Sequence, residues 1–158
     1  MRRKRRRTPL GVCAAAFFFC CVNGYLQARY LLQLRRFPDD WLTSVPFALG
    51  ALLFVGGAAI NVHSDGILRK LRDTRKQDEG YSIPSGGLFE YVSGANFFGE
   101  CLEWLGFAVA SGGAYPALCF FANTALNIGP RALHHHEWYK AKFEDYPRGR
   151  KAIIPFLL

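Results

Sequence analysis

INVHSDGILRKLR (residues 60–72) and YSIPSGGLFEYVSGANFFG (residues 81–99) frame a short charged loop between two apolar segments, each long enough to cross a bilayer. Asn, His, Asp, Arg, Tyr and paired Gly are thus gathered at one membrane boundary. A simple anchor has no need of so many hydrogen-bonding and phosphate-compatible groups in one place. The arrangement points to a polar ligand held at the cytosolic mouth of a helical bundle. An unpaired backbone is prohibitively costly in lipid, so helices are the default for the spans. The expected fold is all-α, a polytopic membrane helical bundle with about four transmembrane helices.

The rest of the chain supports this class. Apolar residues make up 51% of the 158, and the net charge is +8. The basic residues sit beside apolar spans, which argues for membrane topology rather than nucleic-acid binding. Spans are expected at about Leu10–Leu32, Trp41–Val62, Phe89–Ala110 and Tyr115–Ile128. The basic run Arg2–Arg7, the loop with Arg69, Lys70, Arg72, Arg75 and Lys76, and the tail with Arg131, Lys140, Lys142, Arg148, Arg150 and Lys151 alternate with non-basic turns. Four spans with both termini in the cytosol satisfy that alternation. Residues 2–22 also have the basic and apolar regions of a secretory signal, but no clean small-x-small site follows, so a retained span is expected. The domain reading is a basic segment, residues 1–8, followed by one membrane domain, residues 9–158. The five cysteines all lie in apolar segments without a CxxC pair, and are read as small buried hydrophobes rather than a disulfide or zinc framework.

Three polar constellations stand out. Asn61 and Asp65, four apart, share a helical face, and Arg69 and Arg72 extend it into the loop. This is either an ion-paired boundary or a set in which the arginines hold phosphates while Asn61 and Asp65 bond ribose or base. Ser85-Gly86-Gly87 offers backbone amides to an anion, although a turn re-entering the membrane explains it equally well. Within the third span, Asn96, Glu100 and Glu103 form one stripe on an apolar helix. Ionisable groups there face a cavity or a partner, either as a ligand site or as a helix–helix hydrogen-bond network. In the tail, Arg131, His135 and Tyr139 recur every four residues. Adjacent helical positions among His134, His135 and His136 diverge by about 100° and so cannot converge on one ion; no metal is expected.

Long motifs in the same order, INVHSDGILRKLR, YSIPSGGLFEYVSGANFFGECLEWLGFA and HHHEWYKAKFEDYPRGRKAIIPFLL, resemble the C-terminal region of the steroid 5α-reductases. The match runs from about Asn23, includes NGYLQARY and FPDDW, and ends at Leu158. The resemblance implies an NADPH-dependent reductase of the endoplasmic reticulum membrane that saturates the 4,5 double bond of a 3-oxo-Δ4 steroid, within a seven-span fold. It implies a dinucleotide surrounded by Asn61, Asp65, Arg72, Tyr81, Asn96, Glu100, His135 and Tyr139, with Arg69 and Arg131 as supporting contacts. The family's carbonyl-gripping Glu and Tyr come from helices before the matched region, so no catalytic residue is assigned here, Tyr91 included. The partners implied are the bilayer and a steroid, without nucleic acid or metal. Two features depart from the family: the loop Asp73–Gly80 is longer than usual, and Ser82 stands where a basic residue is common. The alternatives are an enoyl-CoA or polyprenol reductase of the same superfamily, and a catalytically silent membrane protein that binds dinucleotide or a full-length partner. A membrane methyltransferase fits less well, because Gly129-Pro130-Arg131 reverses the order of the Arg-His-Pro type signature of that class.

Overall fold

The computed structural model describes residues 9–74 and 81–158 and comprises two compact units, Met1–Pro38 and Asp39–Leu158. The basic run Arg2–Arg7 and most of the loop Asp73–Gly80 lie outside the described residues. Four α-helices carry the fold, α1 (Leu10–Arg29), α2 (Val45–Thr74), α3 (Ala95–Ala110) and α4 (Tyr115–Lys142), as the expected all-α helical bundle requires.

In the first unit α1 runs on through a π-helical turn, Tyr30–Leu34. It buries none of its residues, and Leu10, Phe17 and Phe18 are among its exposed side chains. A helix that is apolar all round and unburied by protein suits lipid. Two side-chain pairs in its polar second half bond within the helix: Gln27 donates to Asn23 at 3.3 Å and Arg29 to the Tyr25 hydroxyl at 2.8 Å.

The second unit is built on α2, 30 residues long, whose start is capped by the Ser44 hydroxyl accepting from the Phe47 amide. Leu10–Leu34 and Val45–Asp73 are each long and apolar enough to cross a membrane by themselves. α3, at 16 residues, rises only about 24 Å. α4 is long, but polar residues accumulate beyond its apolar first half.

α2 and α3 pack antiparallel on a run of glycines. A Cβ at Gly57 would lie 2.7 Å from the Gly99 carbonyl oxygen and 2.8 Å from the Glu103 Cα; a Cβ at Gly99 would lie 2.6 Å from the Asn61 nitrogen. Gly50 and Gly106 meet in the same way one heptad along. Apolar lipid gives helices little hydrophobic reason to associate, so backbone approach through small residues supplies the packing energy. The Trp41 indole closes the far end by donating to the Ala110 carbonyl at 3.0 Å. There α3 stops at Gly112 and Gly113, both at positive φ, with the Gly113 amide donating to the Ala108 carbonyl.

Four expectations need correction. α3 begins at Ala95 rather than Phe89. Residues 87–90 form a 3₁₀ turn, and Val92 makes a parallel bridge with Lys151. The returning tail takes these backbone groups, with the Ser93 and Gly94 amides donating to the Lys151 and Ala152 carbonyls. Arg69 and Arg72 lie on α2 itself, not in a loop. Arg150, grouped by sequence with the tail's topological charges, is buried. Cys13, Cys20, Cys21 and Cys119 are exposed and Cys101 half-buried, because the apolar helix surfaces that carry them are not covered by the rest of the chain.

Candidate functional site

The antiparallel register brings the C-terminal half of α2 beside the N-terminal half of α3, and α4 adds its C-terminal half at the same end. Gly57 sets the register: one turn further along α2, Asn61 lies against Gly99, between Asn96 and Glu103 on α3. Asn61, Asp65, Asn96 and Glu100 are all half-buried there. The charges of Asp65, Glu103 and Arg131 all act on Glu100, so α2, α3 and α4 converge on that carboxylate. Among the described residues the side chains of Asn61, Asp65 and Asn96 make no hydrogen bond to protein. Half-buried polar groups without protein partners fit a ligand wall better than a satisfied helix–helix network.

One turn further out, Arg72, Tyr81 and Tyr139 line a cavity of about 150 Å³ with Leu68, Leu71 and Ser82. That space suits a ring or a phosphate rather than a whole dinucleotide, since pockets for complete small ligands run to about 300–1,000 Å³. The Tyr81 ring meets Trp138 edge-on at 5.0 Å, and the Lys142 ammonium lies over both rings at 5.2 and 5.0 Å. Tyr139 stacks on Tyr146 at 5.6 Å with 10° between the planes. Burial first, then the Tyr146 and Tyr81 phenols, push the Tyr139 phenol above its usual range, so it stays protonated and able to donate. Arg69 and Arg131 are exposed, Arg131 within electrostatic reach of Glu100.

The three adjacent histidines part company. The His135 ring meets Phe97 of α3 edge-on at 6.0 Å. His136 turns to Ser93, its Nδ1 2.6 Å from the Ser93 Oγ, while His134 and His135 are exposed. His63, set apart in the sequence, lies against Gly87: a Cβ at that glycine would come within 2.9 Å of the imidazole Nε2.

Two contributors carried no sequence signal of their own. Ser93 Oγ lies 2.6 Å from the Tyr146 hydroxyl as well as from His136, and donates at 3.2 Å to the Lys151 carbonyl. Arg150 donates to the Pro84 carbonyl at 2.8 Å, pairs with Glu90 at 3.6 Å, and sits 5.6 Å from the Tyr146 ring centre. Glu90 in turn accepts from the amide of Gly86, whose φ of 92° only glycine adopts readily. The tail thereby fastens both the 81–90 turn and the start of α3, joining residues more than 40 positions apart.

The family model described as 3-oxo-5-alpha-steroid 4-dehydrogenase matches residues 6–158, so the relationship reaches well ahead of Asn23. Over 158 residues the chain is 50% identical to 3-oxo-5-alpha-steroid 4-dehydrogenase 1 of Homo sapiens, covering 99% of this chain and 60% of the relative. The Mus musculus protein of the same name is 50% identical over 156 residues, with the same coverage. Over 139 residues the chain is 51% identical to 3-oxo-5-alpha-steroid 4-dehydrogenase 2 of Homo sapiens, covering 88% of this chain and 54% of the relative. The chain thus spans somewhat over half the length of these relatives, and it belongs to the 3-oxo-5-alpha-steroid 4-dehydrogenase family.

Proposed function

We propose that this chain forms the dinucleotide-holding part of an NADPH-dependent reductase of 3-oxo-Δ4 steroids, seated in the endoplasmic reticulum membrane with both termini cytosolic. The observation that carries the proposal is the convergence of Asn61, Asp65, Arg72, Tyr81, Asn96, Glu100, Arg131, His135 and Tyr139, from three helices and the 81–90 turn, on one end of the second unit. The donor set fits the cofactor. Arg72, with Arg69 and Arg131 as outer cations, suits phosphate oxygens. Asn61, Asp65, Asn96 and Glu100 suit ribose hydroxyls and amide edges, and the protonated Tyr139 beside Tyr81 suits a stacked, hydrogen-bonded ring. When bound, NADPH supplies the hydride that saturates the 4,5 double bond. The residues named here orient and retain the donor; none is assigned the acid that faces the 3-oxo group. The steroid substrate is supported by the names of the relatives.

A second reading is a membrane protein that binds the dinucleotide without turning over steroid, because the convergent residues are suited to holding a donor and none of them is assigned to the steroid. An enoyl-CoA or polyprenol reductase has no such observation in its favour. The test is an NADPH titration of the full chain in nanodiscs, followed by incubation in microsomes with NADPH and a labelled Δ4-3-oxo steroid, with a full-length relative assayed alongside. Saturable binding weakened by Asn96→Ala and by His135→Ala supports the site. Binding without turnover selects the second reading, and no binding at all refutes both.

A further inference from the structure

Ser93, His136 and Tyr146 come from three separate segments: the stretch before α3, the last turns of α4, and the tail. Their polar atoms meet at one buried serine hydroxyl. Ser93 has one proton and three neighbours, the His136 Nδ1, the Tyr146 hydroxyl and the Lys151 carbonyl. All are served if the Tyr146 hydroxyl and the His136 Nδ1–H both donate to Ser93, and Ser93 donates its one proton to the Lys151 carbonyl. That arrangement needs a proton on the His136 Nδ1. Burial, and then the Lys140 ammonium, hold His136 below its ordinary pKa, which favours the neutral ring.

None of the three is itself a candidate dinucleotide residue, but Tyr146 touches one of them, Tyr139. Tyr146 lies flat against Tyr139 and meets His136 edge-on at 5.9 Å. Ser93 holds the Tyr146 hydroxyl, while the edge-on His136 ring and the Arg150 guanidinium 5.6 Å from the ring centre bound the ring itself, and Tyr139 lies stacked on it at the wall of the 150 Å³ cavity. We propose that Ser93, His136 and Tyr146 are positioning residues, a three-segment lock that sets the orientation of Tyr139 for the dinucleotide. This rests on the function proposed above, in that Tyr139 is taken to face that ligand.

The test uses Tyr146→Phe, which keeps the stacked ring and removes only the hydroxyl, and Ser93→Ala, each in the full chain in nanodiscs. Nitration of Tyr139 by tetranitromethane reads ring freedom without any ligand, on the tryptic peptide ending at Lys140, which contains no other tyrosine. Alkylation of the half-buried Cys101 on α3 controls for general loosening. Both variants are expected to speed Tyr139 nitration and to raise the Kd for NADPH roughly three- to tenfold, the equilibrium worth of one lost hydrogen bond, with Cys101 alkylation unchanged. The double variant is expected to match the singles, because one network is broken in each case. Tyr139 nitration that stays at the wild-type rate, or rises only together with Cys101 alkylation, overturns the lock. Faster nitration in a protein whose wild type binds no NADPH overturns instead the dinucleotide reading and, with it, the purpose assigned to the lock.

Discussion

Gly57→Ala tests whether backbone contact between α2 and α3 sets the register of the site. The added methyl would stand 2.7 Å from the Gly99 carbonyl oxygen and 2.8 Å from the Glu103 Cα, against both atoms of a rigid helix backbone. Neither neighbour is the movable end of a side chain, so the helices must separate by a good fraction of an ångström. Forcing a methyl into a packed contact of this kind typically costs about 1–3 kcal/mol. Alanine is also a better helix former than glycine by about 0.5–1 kcal/mol, which offsets part of the loss. Gly56, its sequence neighbour, serves as the control, because a methyl added there would meet nothing within 4 Å. There only the propensity gain operates, and Gly56→Ala is expected to be neutral or slightly stabilising. For a chain of this length 1 kcal/mol corresponds to about 2–4 °C in unfolding midpoint, taking the scale of soluble domains. Gly57→Ala should therefore melt several degrees below Gly56→Ala when loss of the monodisperse chromatographic peak is followed against temperature. It should also weaken NADPH binding, because Asn61 lies one turn from the displaced contact. If the two alanine variants melt together, the close approach is not what holds the helices, and the account of the register is wrong.

Arg150→Met removes the buried donor to Pro84 and leaves that carbonyl without it, a loss of about 1–3 kcal/mol. Glu90→Gln keeps an acceptor for the Gly86 amide and breaks only an ion pair with one exposed partner, so its cost should stay under about 1 kcal/mol; comparison of melting midpoints checks the ranking. Arg72→Gln should raise the Kd for NADPH roughly tenfold, the scale of a lost charge-assisted hydrogen bond, and should flatten the weakening of binding by added salt that the wild type shows. His136 gives a pH signature. Its folded pKa is lowered by burial first, then by Lys140 and, from the tail, Lys151, against an opposing pull from Glu137. The unfolded chain therefore takes up the proton first. The neutral imidazole's contribution is complete above the ordinary histidine pKa of about 6.5 and is lost as the pH falls through the lowered folded value. Melting curves between about pH 7.5 and pH 5 should show a decline that His136→Gln diminishes; an undiminished decline places its origin elsewhere.

Much of the candidate site was legible as polar residues four apart on apolar helices. Asn61 with Asp65, Asn96 with Glu100, and Arg131 with His135 and Tyr139 each fall on one helical face, and helical periodicity is local information. The contacts that needed a partner were not legible. Gly50, Gly56 and Gly57 look alike in sequence, and only the position of α3 separates the two that pack from the one that does not. The segment Phe89–Gly94 is apolar enough to pass for the start of a span. The Ser93 and Gly94 amides and the Tyr91 carbonyl are instead engaged by Lys151 and Ala152, and no local pattern reveals a backbone partner so distant. Arg150 failed for the same reason: amid exposed tail cations, nothing in its neighbours signals the carbonyl of Pro84.

These two kinds of long-range contact hold different parts of the site. α3 packs far more extensively on α2 than on α4. Asn61, Asp65, Asn96 and Glu100 therefore inherit their positions from the glycine contacts. The second half of α4 relies on the tail: Ile153 clusters with Ile128 and Ala132 of α4 and with Phe97 and Phe98 of α3, while Tyr146 takes His136 and Tyr139. Arg131, His135 and Tyr139 are thus placed by residues that follow them in the chain. Perturbations of the two supports share no side-chain partner, so their energies should add, and Gly57→Ala combined with Arg150→Met should lose close to the sum of the single losses. A marked departure from additivity would mean that α4 is set by α2 and α3 after all, and that the tail merely covers a wall already built.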